Sequence, residues 1–187
     1  MSRSVNRISA LLQSYSRFIA VPWRVNAAPA QRVIFCVYHQ EDELRLRARV
    51  EEFELATRQS GHAWALFDLT DLFADWLSDQ RYATRYFAEP ELLPTLLPRY
   101  REYIQQHFAR MLQTAGASEN TVVALKGVGT LFGFLKVKQV VDDLAPQVSG
   151  RLLVFFPGSY ENNNYRLLDG YDGWNYLAVP ITADKDQ

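Results

Sequence analysis

Apolar residues recur at helical spacing near the start of the chain. Ile8, Leu11, Leu12, Tyr15, Phe18 and Ile19 line one face, which predicts an amphipathic helix within residues 1–25. Ser4 or Asn6 suits its cap and Pro22 its end. Such a stripe has to be covered, by its own domain or by a partner, and packing on its own domain is the expectation. After a short linker at 26–31 the pattern changes. Val33 to Tyr38 is an unbroken apolar run, β-branched and aromatic, as in a strand buried on both faces. Glu41 to Ser60 returns to helical spacing, with Leu44, Leu46, Val50, Phe53 and Ala56 inward and Gly61 as the stop.

The alternation continues. Ala63 to Phe67 predicts a second strand with Asp68 at its end, and Thr70 the cap of a helix through Leu77. Pro94 and Pro98 suit the early turns of a long helix with a stripe from Leu96 to Leu112, ended by Gly116. Thr121 to Leu125 is a third strand, Leu131 to Leu144 a helix, Leu152 to Phe156 a fourth strand and Tyr176 to Val179 a fifth. Strands alternating with helices imply βαβ units. The expected fold is α/β: a single domain over 1–187, a three-layer sandwich around a mostly parallel central sheet. Its topology would be Rossmann-like or P-loop-like, without a Walker motif. The last two strands have no helix between them and are open to a hairpin or an edge position.

The 187 residues are enough for one sizeable core. Net charge is -1, so no overall basic field draws the chain to nucleic acid. Before Glu41 stand Arg3, Arg7, Arg17, Arg24 and Arg32 with no acid, whereas the end of the chain is acidic. That asymmetry either orients a partner or is a solvated surface. The aromatic share is 13%, and some of these rings are expected at an interface. Cys36 is the single cysteine and lies in an apolar run, which makes it a buried, inert thiol. No segment is long and apolar enough to span a bilayer, and the N-terminus has no continuous apolar signal core. A cytoplasmic protein is expected.

Candidate chemistry is sparse. Lys126-Gly-Val-Gly-Thr-Leu-Phe-Gly133 joins a strand to a helix, where open α/β sheets bind anions. Lys126, Gly127, Gly129 and Thr130 are the candidate anion- or nucleotide-binding residues. The phosphate-loop pattern is absent, and the third glycine of a dinucleotide fingerprint falls on Phe132. A tight turn with close helix packing is the competing reading. His39, His62 and His107 are scattered, so no metal is expected, and His62 and His107 are read as solvated. Asp169-Gly170 and Asp172-Gly173 are turn signals before they are acid–base pairs. Lys126, Lys136 and Lys138 near Phe132 and Phe134 form a weak nucleic-acid patch.

Residues 157–175 read as a long C-terminal loop, opened by Pro157-Gly158. Tyr160, Asn163, Tyr165, Arg166 and Trp174 are its candidate partner-binding residues, because Tyr, Trp and Arg dominate interface energetics. The alternative is a loop folded onto its own sheet edge.

Three stretches carry a resemblance: Phe155-Phe-Pro-Gly-Ser-Tyr-Glu161, Asn164-Tyr-Arg-Leu-Leu-Asp169 and Gly173-Trp-Asn-Tyr-Leu-Ala-Val-Pro-Ile181. They resemble the C-terminal signature of the BrxB-like proteins of BREX phage-resistance systems. Leu125-Lys-Gly-Val-Gly129 is similar to that family's strand–glycine–helix segment, and Glu41-Asp-Glu43 matches its layout. The resemblance is specific over 121–181 and loose before that. It implies a multi-protein defence island that blocks phage replication and marks host DNA by methylation. There the methyltransferase, the large ATPase and the phosphatase-like PglZ component carry the catalytic motifs. No catalytic residue and no cofactor transfer to this chain. The resemblance therefore implies a non-enzymatic assembly or adaptor factor, with the PglZ-like protein or the large ATPase as partner and nucleic acid contacted only indirectly. A nucleotide- or anion-binding regulator and a nucleic-acid-binding subunit are the alternatives.

Overall fold

The computed structural model describes residues 3–24, 26–170 and 173–183, with the backbone alone for 3–6. The expected caps Ser4 and Asn6, and Tyr171 and Asp172 of the second Asp-Gly turn, lie outside the described side chains or residues.

The first helix, α1 (Arg3–Ile19), buries Ile8, Leu11, Tyr15 and Ile19 at i, i+3 and i+4 spacing. The Tyr15 hydroxyl lies 2.6 Å from Thr57 Oγ1 in α3 (Val50–Gln59). The helix therefore packs on its own fold.

Strand β1 (Val33–Tyr38) is buried at every position. Its parallel neighbours are β4 (Arg151–Glu161) on one side and β7 (Val179–Ile181) on the other. With β2 (Ala63–Asp68) and β3 (Thr121–Lys126) the order is β2-β3-β4-β1-β7, all parallel. The outer part of β4 turns into an antiparallel hairpin with β5 (Asn164–Leu167), which pairs with β6 (Trp174–Asn175). The fold is thus α/β around a mixed sheet, seven-stranded among the described residues.

Alternation along β1 separates two cores. Ile34, Cys36 and Tyr38 pack with α1, α2 (Glu43–Arg47) and α3. Val33, Phe35 and Val37 pack with α4 (Leu72–Ser78), α6 (Leu97–Ala115) and α7 (Val137–Leu144). Cys36 is a free, fully buried thiol whose pKa burial pushes up.

Several boundaries differ from the pattern-based expectation. The helix expected over Glu41–Ser60 is broken into a 3-10 turn at Gln40–Asp42, then α2, then α3. Asp42 is buried there, paired with Arg7 at 2.7 Å and Arg45 at 2.9 Å. The break leaves Leu44 outward, 78% exposed. The helix expected from Leu131 starts only at Val137, because Gly133 takes a left-handed φ of 81° that no right-handed helix accepts. A further helix, α5 (Ala83–Ala88), lacks buried residues and has no counterpart in the hydrophobic pattern. The fifth strand is shifted to Val179–Ile181. Most consequentially, 157–175 is built around a hairpin instead of a loop.

Candidate functional site

The parallel strands end on one edge of the sheet, and there the polar groups meet. Lys126, closing β3, pairs with Asp68, closing β2, at 2.8 Å. The Thr70 amide and hydroxyl donate to the same carboxylate at 2.9 and 2.6 Å. Burial pushes the Asp68 pKa up, but these three donors outweigh it and hold it below its ordinary value. At the end of β1 the Tyr38 hydroxyl donates to Glu43, which also takes Arg47 at 2.7 Å. Burial and then Glu43 push the Tyr38 hydroxyl up.

The glycine turn sits just beyond β3. Gly127 has φ 83°, and a Cβ there would stand 2.7 Å from the Thr70 nitrogen. Only glycine permits that approach. The Thr130 hydroxyl donates to the Gly127 carbonyl at 2.7 Å and the Leu69 carbonyl at 3.3 Å. Gly129 lies against Pro157 and Leu168. Val128–Leu131 form a 3-10 turn, so Thr130 caps no α-helix. Lys126, Gly127, Gly129 and Thr130 are brought together as one turn. The Lys126 and Thr130 side chains are engaged there, with Asp68 and with the Gly127 and Leu69 carbonyls.

The hairpin covers that turn. Beyond Pro157, β4 exchanges its parallel partners for β5. A Cβ on Gly158 would sit 2.0 Å from the Arg166 carbonyl oxygen, so the crossing needs glycine. Asn162 and Asn163 have φ 50° and 64°, the positive pair of a two-residue type I′ turn. Leu168 also takes a positive φ, 51°, while its amide donates to the Pro157 carbonyl at 2.9 Å. A bulky residue in that region is strained, and the bond to Pro157 holds it there with its side chain against Gly129.

The candidate partner residues separate by face. Tyr165 is 0% exposed, and its hydroxyl donates to the Ala178 carbonyl at 3.1 Å. Its ring meets Phe35 edge-on at 4.6 Å and lies 5.5 Å from the half-buried Trp174. These two rings belong to an aromatic cluster with Phe156 and Tyr176. Tyr160 is half-buried and donates to Asn163 Oδ1 at 3.0 Å. Asn163 and Arg166 are exposed.

Two residues without a sequence-level role stand at the opposite edge, where the strands begin. Trp23 stacks on His62 at 3.8 Å, so His62 is not simply solvated, and the Arg151 guanidinium lies 4.7 Å from the Trp23 ring. The available signal is Arg151 itself, a charge opening an otherwise apolar strand. Among the described residues no group of three or more His, Cys, Asp or Glu side chains could hold a metal ion, and no helix is long and apolar enough to cross a membrane.

A family model described as BREX protein BrxB matches residues 65–180, more than half of the chain. No curated protein and no solved structure matches. The chain belongs to the BrxB family and is a component of BREX anti-phage systems.

Proposed function

We propose that this BrxB-family chain acts within the BREX assembly as a non-catalytic adaptor. It docks a catalytic component, the PglZ-like phosphatase-fold protein or the large ATPase, through the outer face of the β4–β5 hairpin. The observation that carries this reading is the mounting of that face. Asn163 and Arg166 point outward from a strand pair whose other side is fixed by the buried Tyr165. A surface already held in one conformation loses little entropy on binding, and arginine on such a surface is a favoured anchor. The Arg166 backbone belongs to the β4–β5 ladder, whereas its side chain makes no hydrogen bond or ion pair among the described residues, so its donors are available.

The non-enzymatic part of the reading is supported at the carboxyl edge, where Lys126, Asp68, Thr70 and Thr130 are engaged with one another or with backbone. The same engagement weighs against the nucleotide-binding alternative at Gly127–Thr130.

The test is co-purification. Tagged wild type and Arg166→Glu are mixed with the purified PglZ-like protein and, separately, with the ATPase. The adaptor reading expects one partner to be retained by wild type and bound at least about tenfold more weakly by the variant. The melting temperature should stay within about 2 °C, as for a surface substitution. Equal retention by the two chains would remove the hairpin as the docking face.

A further inference from the structure

A cavity of about 410 Å³ opens at the edge where the parallel strands begin. Val21, Pro22, Leu177, Val179 and the Trp23 ring supply apolar walls, and Arg151 contributes a charged group. The volume lies in the range of sites for small organic ligands.

Arg151 is the unusual member. It is 8% exposed, yet among the described residues no acid pairs with it. Its guanidinium makes two long bonds, to the Gly150 and Arg24 carbonyls, each at 3.3 Å. A guanidinium carries five N–H donors, so donors remain. Burial lowers the Arg151 pKa, and the charge acting on it is another cation, Arg32. Removing a cation from water without an anion beside it is costly. Trp23 Nε1 and Arg32 Nε are likewise buried donors without a partner. Those two atoms are closed to solvent, and Arg32 stands outside the lining, so Arg151 is the side chain that presents unmet donors to the cavity. The apolar rim is open as well, with Val21 60% and Leu177 75% exposed.

We propose that this cavity binds a small molecule carrying one anionic group, a carboxylate or a phosphate monoester, on an apolar body. The anion sits on the Arg151 fork, which suits the bidentate geometry of both groups. The body lies against Val21, Leu177 and the Trp23 ring. The site is separate from the hairpin face and does not depend on the docking proposed there.

The test uses phenyl phosphate and phenylacetate as probes, with benzyl alcohol as the uncharged control, followed by calorimetric titration and melting temperature. At about 5 mM a charged probe should raise the melting temperature by mass action, and benzyl alcohol should not. Leu177→Glu replaces an exposed side chain at the cavity wall with a carboxylate that competes for Arg151. It should fold normally and weaken the probe about tenfold or more. Leu44→Glu, at a similarly exposed site in α2, should bind like wild type. Arg151→Met should abolish binding without lowering the ligand-free melting temperature, since it deletes a buried charge that has no acid beside it and only two long hydrogen bonds. No binding of either charged probe, or equal binding by Leu177→Glu and Leu44→Glu, would overturn the site. So would a large loss of ligand-free stability in Arg151→Met, which would make Arg151 a structural bracket.

Discussion

The two edges of the parallel sheet treat charge in opposite ways. Where the strands end, Lys126 meets Asp68 and Arg47 meets Glu43. The β4–β5 hairpin lies over the glycine turn beside them. Where the strands begin, Arg151 is buried against a tryptophan and carbonyl oxygens with another arginine as its charged neighbour. Open α/β sheets bind ligands at the carboxyl ends of their strands because that edge has unspent backbone donors. Here the side-chain donors at that edge, those of Lys126, Thr70, Thr130 and Arg47, are taken up inside the fold. Unspent donors remain at the other edge.

The comparison breaks most severely at Tyr165, which closes the carboxyl edge. Tyr165→Ala empties a fully buried ring position and should cost about 3–5 kcal/mol, a large part of the total stability of a domain. Tyr165→Phe retains the ring and leaves the Ala178 carbonyl without its donor, for about 1 kcal/mol. Urea unfolding of both variants checks this. A Tyr165→Ala loss no larger than that of Tyr165→Phe would mean that the hairpin is not anchored through this ring.

The same residue shows what was legible in the sequence. Val33 to Tyr38 announces a central strand, because burial on both faces leaves no polar position in the run. Ile8, Leu11, Tyr15 and Ile19 announce α1 for the equivalent reason at helical period. The hairpin is harder to see. Its inward residues Tyr165 and Leu167 alternate with outward Asn164 and Arg166 over only four positions. Pro157-Gly158 resembles a strand end but marks a change of partner within one strand. Residue type alone therefore makes Tyr165 and Trp174 look like interface rings, although Tyr165 is fully buried in the fold and Trp174 half-buried beside it. Arg151 is hidden by its neighbours, since one charge before Leu152–Phe156 looks like an ordinary strand flank. Its lack of an acidic partner is a property of distance, which no linear pattern records.

A smaller effect tests the pairing itself. Lys126→Met keeps much of the aliphatic stem of a mostly buried side chain but removes the cation from Asp68. Asp68 is partly exposed and keeps its two Thr70 bonds. The loss should therefore be about 1 kcal/mol, near the upper end for a pair open to water. Arg151→Met at the other edge should show no such loss. If both lysine and arginine variants lose stability equally, the contrast between the edges is not electrostatic.

The smallest effect is in acid. Asp68 has a folded-state pKa below its ordinary value of 3.8, because donors from Lys126 and Thr70 outweigh the opposing effect of burial. The folded chain therefore binds fewer protons at this group than the unfolded chain does. Its stabilising contribution is full above the ordinary value and is lost as pH falls through the lowered one. Asp68→Asn removes that dependence, so below about pH 4 its melting temperature should fall less steeply than that of wild type. Arg151 stays protonated throughout this range, and Arg151→Met should follow the wild-type acid limb. Parallel acid limbs for Asp68→Asn and wild type would show that the Asp68 contacts do not favour its charged form in the folded chain.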